Sequence, residues 1–270
     1  MAQITESHQR FLQVLMSHGI MEGSAVRNLH KHCCEAHKVH YMQDRLDDFI
    51  DVINKHLQPL FMQIRKRISE DDGKRYYALV NLAENEITKM ASDYAENELE
   101  LFRKTMDLIV TSENGFASST RLLNLSDELQ TRKIKKKEVE QLLQKFVQEK
   151  WLIEREGEYT LHTRCIMELE PYIRNTFQDV KICNICRDVA IQSQMCETCG
   201  IQIHIPCAGK YFKGQAEPHC PNCNELWAHE IPRLSQSSSQ KPSTSQSANI
   251  PALERRTTKT SVASRTRQKH

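Results

Sequence analysis

Residues 183–207 read CNICRDVAIQSQMCETCGIQIHIPC, and residues 219–223 add HCPNC. Seven of the chain's ten cysteines fall in these two runs. The donors order as Cys183, Cys186, Cys196, Cys199, His204, Cys207, Cys220 and Cys223, four pairs with two residues between partners. That spacing lets both atoms of a pair meet one ion, with Zn–S bonds of about 2.3 Å. Eight donors suit two tetrahedral Zn2+ ions with no open position, so both sites read as structural rather than catalytic. Spacing alone leaves two assignments open, sequential and interleaved. His219, next to Cys220, is a competing donor, although Cys220 and Cys223 already form a complete pair.

The surrounding chain favours metal over disulfides. The N-terminus, MAQITESHQR, lacks the basic and apolar regions of a secretory signal. In a reducing compartment, repeated Cys-x-x-Cys pairs hold metal more often than disulfides. No apolar run approaches the roughly 20 residues of a membrane span. With 39% hydrophobic residues in 270, the chain can bury a core, and its mean hydropathy of −0.60 is that of a soluble protein. The net charge of +2 is uneven. From Ser235 onward, seven basic residues against Glu254 give +6, which leaves −4 for residues 1–234.

The fold class reads as α+β. Phe11, Leu12, Leu15 and Met16 mark one helix. Gly23-Ser24 reads as a turn and N-cap, and Val26, Leu29 and Cys33 continue into a second helix. Leu46, Phe49, Ile50, Ile53 and Leu57 make a third. The period then changes: Met62, Ile64 and Ile68 alternate with Arg65 and Arg67, Asp71-Asp72-Gly73 turns the chain, and Tyr77, Leu79 and Val80 return. Three helices and a hairpin are the order of a winged helix. The pattern repeats. Leu99, Phe102, Met106 and Ile109 form a stripe punctuated by Gly115. Leu122, Leu123, Leu125 and Leu129 suggest a short helix. Val139, Leu142, Leu143, Phe146 and Val147 fit helical spacing closely. Trp151-Leu152-Ile153, the Glu156-Gly157-Glu158 turn and Tyr159 with Leu161 form a hairpin, and a closing helix spans about 163–177. The expected domains are winged helices over 1–98 and 99–178, a zinc region over 179–230 and a tail over 231–270. The tail is rich in Ser and Thr and has no aromatics, so it reads as disordered.

The order Cys-Cys, Cys-Cys, His-Cys, Cys-Cys resembles a RING variant or a PHD finger, both of which interleave their ligands in a cross-brace. The resemblance implies Cys183, Cys186, His204 and Cys207 on one zinc, and Cys196, Cys199, Cys220 and Cys223 on the other. Three details favour RING: aliphatic Ile185 before the second cysteine, Pro221 after the seventh ligand, and Tyr211 four after Cys207, where many RINGs carry Trp. Against PHD, residues 187–195 offer no aromatic to cage a methylated lysine, and Pro218 stands where PHD fingers commonly have Trp. Two details depart from active RINGs: Asn224 replaces the basic residue that often follows the last ligand, and Cys199 replaces a usual His. By resemblance, Ile185, Pro221 and Tyr211 would contact a ubiquitin-conjugating enzyme, with catalysis by positioning and no covalent nucleophile.

Tandem winged helices followed by this ligand set, with Trp227 on its flank, resemble the family of non-SMC element 1 subunits of the SMC5/6 complex, over residues 1 to about 230. That resemblance implies a nuclear, chromosome-associated ubiquitin ligase. It also implies pairing with a MAGE-type and a kleisin-like subunit, and a role in recombinational DNA repair. A non-catalytic subunit whose zinc domain stiffens the complex is the alternative.

Other features have plainer readings. His30, Cys33, Cys34 and His37 share a helical face, but Cys33 continues a core stripe, so metal is the lesser reading. Cys165 reads as a buried thiol. Lys133-Ile134-Lys135-Lys136-Lys137 would contact DNA phosphates in a nucleic-acid-binding winged helix. Glu138, Glu140 and Glu149 oppose that role, so these modules read as protein-binding. The basic tail reads as solvated, with DNA contact or nuclear import as its functional readings.

Overall fold

The computed structural model describes residues 3–82 and 94–231. The 83–93 stretch ahead of the expected domain boundary lies outside the described residues, and so does the expected tail apart from Ile231.

The fold is α+β, and both winged helices are present. The first comprises α1 (Glu6–His18), β1 (Ile20–Glu22), α2 (Gly23–Ala36), α3 (Leu46–Leu57), β2 (Met62–Ile68) and β3 (Arg75–Asn81). Helical spacing puts Phe11 and Leu15, Val26 and Cys33, and Phe49, Ile53 and Leu57 on inward faces, and these side chains build its core with Ile64 and Tyr77. Met16, expected on the same stripe as Leu15, points outward at 56% exposure. The helix stops at Gly19, whose φ of +69° lets its N–H reach the carbonyls of Leu15 and Met16.

The sheet is antiparallel in the order β1-β3-β2, with Ile20 opposite Ala78. β1 is missing from the sequence reading because three residues are too few to show a period of two. Its presence moves the helix start. Glu22, not Ser24, is the N-cap of α2, and the Ser24 hydroxyl donates to Glu22 Oε1 at 2.7 Å.

The second winged helix repeats the plan with α4 (Glu96–Val110), β4 (Ala117–Ser118), α5 (Ser119–Asn124), α6 (Lys136–Gln148), β5 (Leu152–Arg155), β6 (Glu158–Leu161) and the closing α7 (Thr163–Thr176). Its sheet runs β4-β6-β5, the equivalent order. Glu156 and Gly157 both have positive φ, which gives the two-residue turn whose twist suits a hairpin. Trp151 precedes β5 rather than opening it, and the Arg164 guanidinium lies 4.6 Å above its ring.

The two winged helices are packed together. Met167 of α7 is buried against Ile20, Ala78 and Val80 of the first sheet. Arg65 pairs with the buried Glu170 at 2.9 Å, and Arg155 with Asp71 at 2.5 Å. The zinc region adds β7 (Ser193–Met195), β8 (Gln202–His204) and α8 (Ile205–Tyr211). Its Val189 and Ile191 belong to the core of the second winged helix, alongside Phe102, Phe146 and Leu161. Gly115 corrects its sequence reading here. α4 ends at Val110, and Gly115 instead lets the chain pass the Ile191 carbonyl, which a Cβ would meet at 2.3 Å.

Candidate metal centres

Three short loops shape the donors. The N–H of Arg187 returns to the Cys183 carbonyl, that of Gly200 to Cys196 and that of Asn224 to Cys220, at 2.8–3.0 Å. The residue after each Cys-x-x-Cys pair therefore adopts positive φ: Arg187 at +65°, Gly200 at +74° and Asn224 at +59°. Gly suits that region by having no Cβ, and Asn tolerates it through its short polar side chain. Asn224 thus has a backbone reason to be Asn, which the sequence alone did not disclose. The fourth pair sits on β8 and α8, where His204 ends the strand and Cys207 lies in the first helical turn.

These elements bring the donors together in the interleaved order. The ligand atoms of Cys183, Cys186, His204 and Cys207 lie within 4.8 Å of one another, and so do those of Cys196, Cys199, Cys220 and Cys223. All ten cysteines are free thiols. His219 belongs to neither group, and its Nδ1 donates to the Glu217 carbonyl at 2.9 Å. The helical set His30, Cys33, Cys34 and His37 does not converge, and Cys33 and Cys34 are buried in the first core. Cys165 is a wholly buried thiol whose pKa burial raises.

The electrostatics suit a dication. Hydrogen bonds from Cys186 and Cys207 pull the Cys183 thiol well below its ordinary pKa, while Cys207 is pushed up by Cys183 and Cys186. Three sulfurs so close repel one another once ionised, and a bound cation removes that penalty. In the second group the backbone N–H of Ile201 and the Asn222 side chain hold Cys199 down to about 6. Three thiols with one imidazole, and four thiols, are both donor sets that fit Zn2+.

His204 faces two ways. Its Nδ1 lies 3.2 Å from Cys186 Sγ and 3.7 Å from Cys207 Sγ. Its Nε2 lies 3.0 Å from Glu70 Oε1 and 3.0 Å from the Val189 carbonyl. Burial opposes charge on this ring, but the Cys183 and Cys186 thiols and Glu70 raise its pKa to about 12. Glu70 and Arg67 come from the wing of the first winged helix and were missed in the sequence, where Arg67 reads as an outward residue of an alternating strand. Instead both are buried, paired at 3.0 Å, and Arg67 Nη2 also donates to the Val189 carbonyl. Glu70 further accepts the N–H groups of Gln192 at 2.6 Å and Ile191 at 3.1 Å. Burial would raise the Glu70 pKa, but His204, Arg67 and the Gln192 N–H together hold it below the usual range.

The residues expected to meet a conjugating enzyme lie at the surface: Ile185 and Tyr211 are exposed and Pro221 is half-buried. The aromatic interior beside them is Phe212 against Trp227, with ring centroids 5.3 Å apart. Trp227 Nε1 donates to Gln194 Oε1 at 3.1 Å.

Comparison with known proteins bears on this architecture. The family described as "Nse1 non-SMC component of SMC5-6 complex" matches residues 8–169, and a RING-like domain matches 183–223. The chain is 72% identical to the non-structural maintenance of chromosomes element 1 homolog of Xenopus laevis, over 98% of each chain. It is 57% identical to the Homo sapiens homolog, over 87% of this chain and 88% of that one. A solved structure described as an "Nse1-Nse3-Nse4 complex" superimposes with a TM-score of 0.77 at 75% identity, covering 86% of this chain and all of that one. Tandem winged helices joined to an interleaved RING-like centre therefore place this chain in the family of the Nse1 non-SMC component of the SMC5-6 complex.

Proposed function

We propose that the chain is a zinc-loaded, RING-type ubiquitin ligase subunit of an SMC5-6 complex, nuclear and chromosome-associated, serving recombinational DNA repair. The observation that carries this reading is the interleaved pair of donor groups with Ile185 exposed on the first loop. Zn2+, when bound, supplies the cross-links that hold these loops in one shape. The chain's own residues then do the recognition. Ile185, Pro221 and Tyr211 would dock a ubiquitin-conjugating enzyme and restrict its thioester to a reactive pose. The seven clustered cysteines are committed to metal, so none acts as a nucleophile.

The winged helices serve protein contact in this reading. α3, the helix that would enter a DNA groove, exposes Asp47, Asp48 and Asp51, which phosphates would repel. Leu60, Phe61 and Leu82 form an exposed apolar edge of the first module, linked by the hydrogen bond from Leu82 N to the Phe61 carbonyl. A similar protein solved as an Nse1-Nse3-Nse4 complex supports a MAGE-type and a kleisin-type partner here. The second reading is a non-catalytic subunit. It is favoured by Asn224, which keeps its positive φ where active RINGs often place a basic side chain.

The test is ubiquitin discharge from a panel of charged conjugating enzymes, using the zinc-loaded full chain with and without its MAGE-type partner. Discharge abolished by Ile185→Ala, with the metal content unchanged, establishes the ligase. No discharge from intact complexes leaves the structural subunit.

A further inference from the structure

The wing of the first winged helix reaches into the zinc region through one carboxylate. Glu70 lies two residues past the end of β2 and is buried. Four nitrogen groups meet it: His204 Nε2 at 3.0 Å, Arg67 Nη2 at 3.0 Å, and the N–H groups of Gln192 and Ile191. His204 meanwhile turns Nδ1 toward Cys186 and Cys207. A histidine that binds metal through one nitrogen usually donates its other N–H to a carboxylate or carbonyl, which fixes the tautomer and raises ligand basicity. Two acceptors compete here for the Nε2–H. The Nε2–H bonds the Val189 carbonyl at 3.0 Å and faces Glu70 Oε1 at the same distance, so the two share it, and the full negative charge of the carboxylate makes it the stronger acceptor of the pair.

We propose that Glu70 is the outer-shell carboxylate of the Cys183, Cys186, His204, Cys207 zinc centre, a positioning residue supplied by a different module from the ligands. The proposal rests on the zinc reading given above. Glu70 holds the proton on Nε2, which leaves the Nδ1 lone pair directed at the metal. Metal and wing then stabilise each other, and the coupling is reciprocal. A metal ion at this centre favours the docked wing, and the docked wing favours the ion. A partner that displaces the wing would loosen this centre and leave the Cys196, Cys199, Cys220, Cys223 centre unchanged.

The experiment uses the full chain. Two zinc ions per wild-type molecule confirm the underlying reading, and absence of zinc overturns both readings together. Transfer of zinc to the chelating dye 4-(2-pyridylazo)resorcinol is then followed in wild type and Glu70→Gln, with Cys220→Ser used to assign the phases. The first centre releases zinc about 10 to 100 times faster in Glu70→Gln, and the second releases at an unchanged rate. Long-range 1H–15N spectra show the His204 Nε2 proton far downfield in wild type and moved upfield in the variant. Equal release rates with an unshifted proton, in molecules that hold two zincs, overturn the proposal alone. If the variant fails to fold, wild-type amide exchange decides. Loss of protection over 69–75 on metal removal supports the coupling, and retained protection overturns it.

Discussion

The side chain of Asn54 pairs with the backbone of Ile64 in both directions. Its Nδ2 donates to the Ile64 carbonyl at 3.1 Å, and its Oδ1 accepts the Ile64 N–H at 2.7 Å. β2 is an edge strand of its sheet, so Asn54 supplies from α3 the pairing that a further strand would give. Asn54→Ala leaves a donor and an acceptor of a partly buried strand unmatched and costs about 2 kcal/mol. Urea denaturation measures it. A loss under about 0.5 kcal/mol would mean that water replaces the side chain without penalty.

Gly115 and Gly214 make a matched pair. Both have φ near +80°, but a Cβ at Gly115 meets the Ile191 carbonyl at 2.3 Å, whereas one at Gly214 meets nothing within 4 Å. Gly214→Ala carries the backbone penalty of about 1 kcal/mol. Gly115→Ala adds displacement of the zinc region from the second winged helix and costs roughly 3 kcal/mol or more. Thermal unfolding of both variants checks the prediction, and equal costs would refute the steric account.

His162 caps α7 by accepting the Arg164 N–H at its Nδ1, at 3.0 Å, which requires an unprotonated nitrogen. Burial, with Lys150 and Arg164 nearby, lowers its pKa to about 4. Between about pH 4 and 6.5 the unfolded chain therefore binds the extra proton. The stability tied to His162 is complete above pH 6.5 and is lost as pH falls toward 4. The loss is on the order of 2 kcal/mol after allowance for the partly exposed ring. His162→Asn keeps a capping oxygen and flattens this slope. Both proteins share whatever acid sensitivity the two cysteine donor groups carry, so the difference between their pH–stability curves isolates His162.

The two tryptophans report on different modules, Trp151 on the second winged helix and Trp227 on the zinc region. In a Trp151→Phe background, stripping the metals shifts Trp227 emission to the red as its cover of Phe212 and Gln194 loosens. In a Trp227→Phe background the shift of Trp151 is smaller. An unshifted Trp227 in metal-free protein would show that the apolar contacts alone hold this region.

The parts of this molecule that were legible in the sequence are those with local rules. The four donor pairs, the stripes of α3 and α6, and the Asp71-Asp72-Gly73 and Glu156-Gly157 turns are each set by neighbours within a few residues. The cross-brace assignment came by resemblance, since spacing alone does not choose it. What stayed hidden depends on distant chain. β1 exists because Ile20 has Ala78 to pair with. Arg67 and Glu70 are charged and so read as solvated, until the zinc region covers them. Val189 and Ile191 lie in a stretch without clear periodicity, and only the second winged helix makes them interior. Gly115 reads as a helix stop because a glycine after an apolar stripe usually is one. Here the constraint lies in a carbonyl some 76 positions along the chain.

Val189 and Ile191 fill the interior begun by Phe102 and Phe146, so the modules do not come apart along the sequence. A protease that cuts between residues 178 and 189 takes with the zinc region part of the second winged helix's own filling. The second winged helix is then left with part of its interior unfilled beside Phe102 and Phe146, and a gap of that kind lowers its stability.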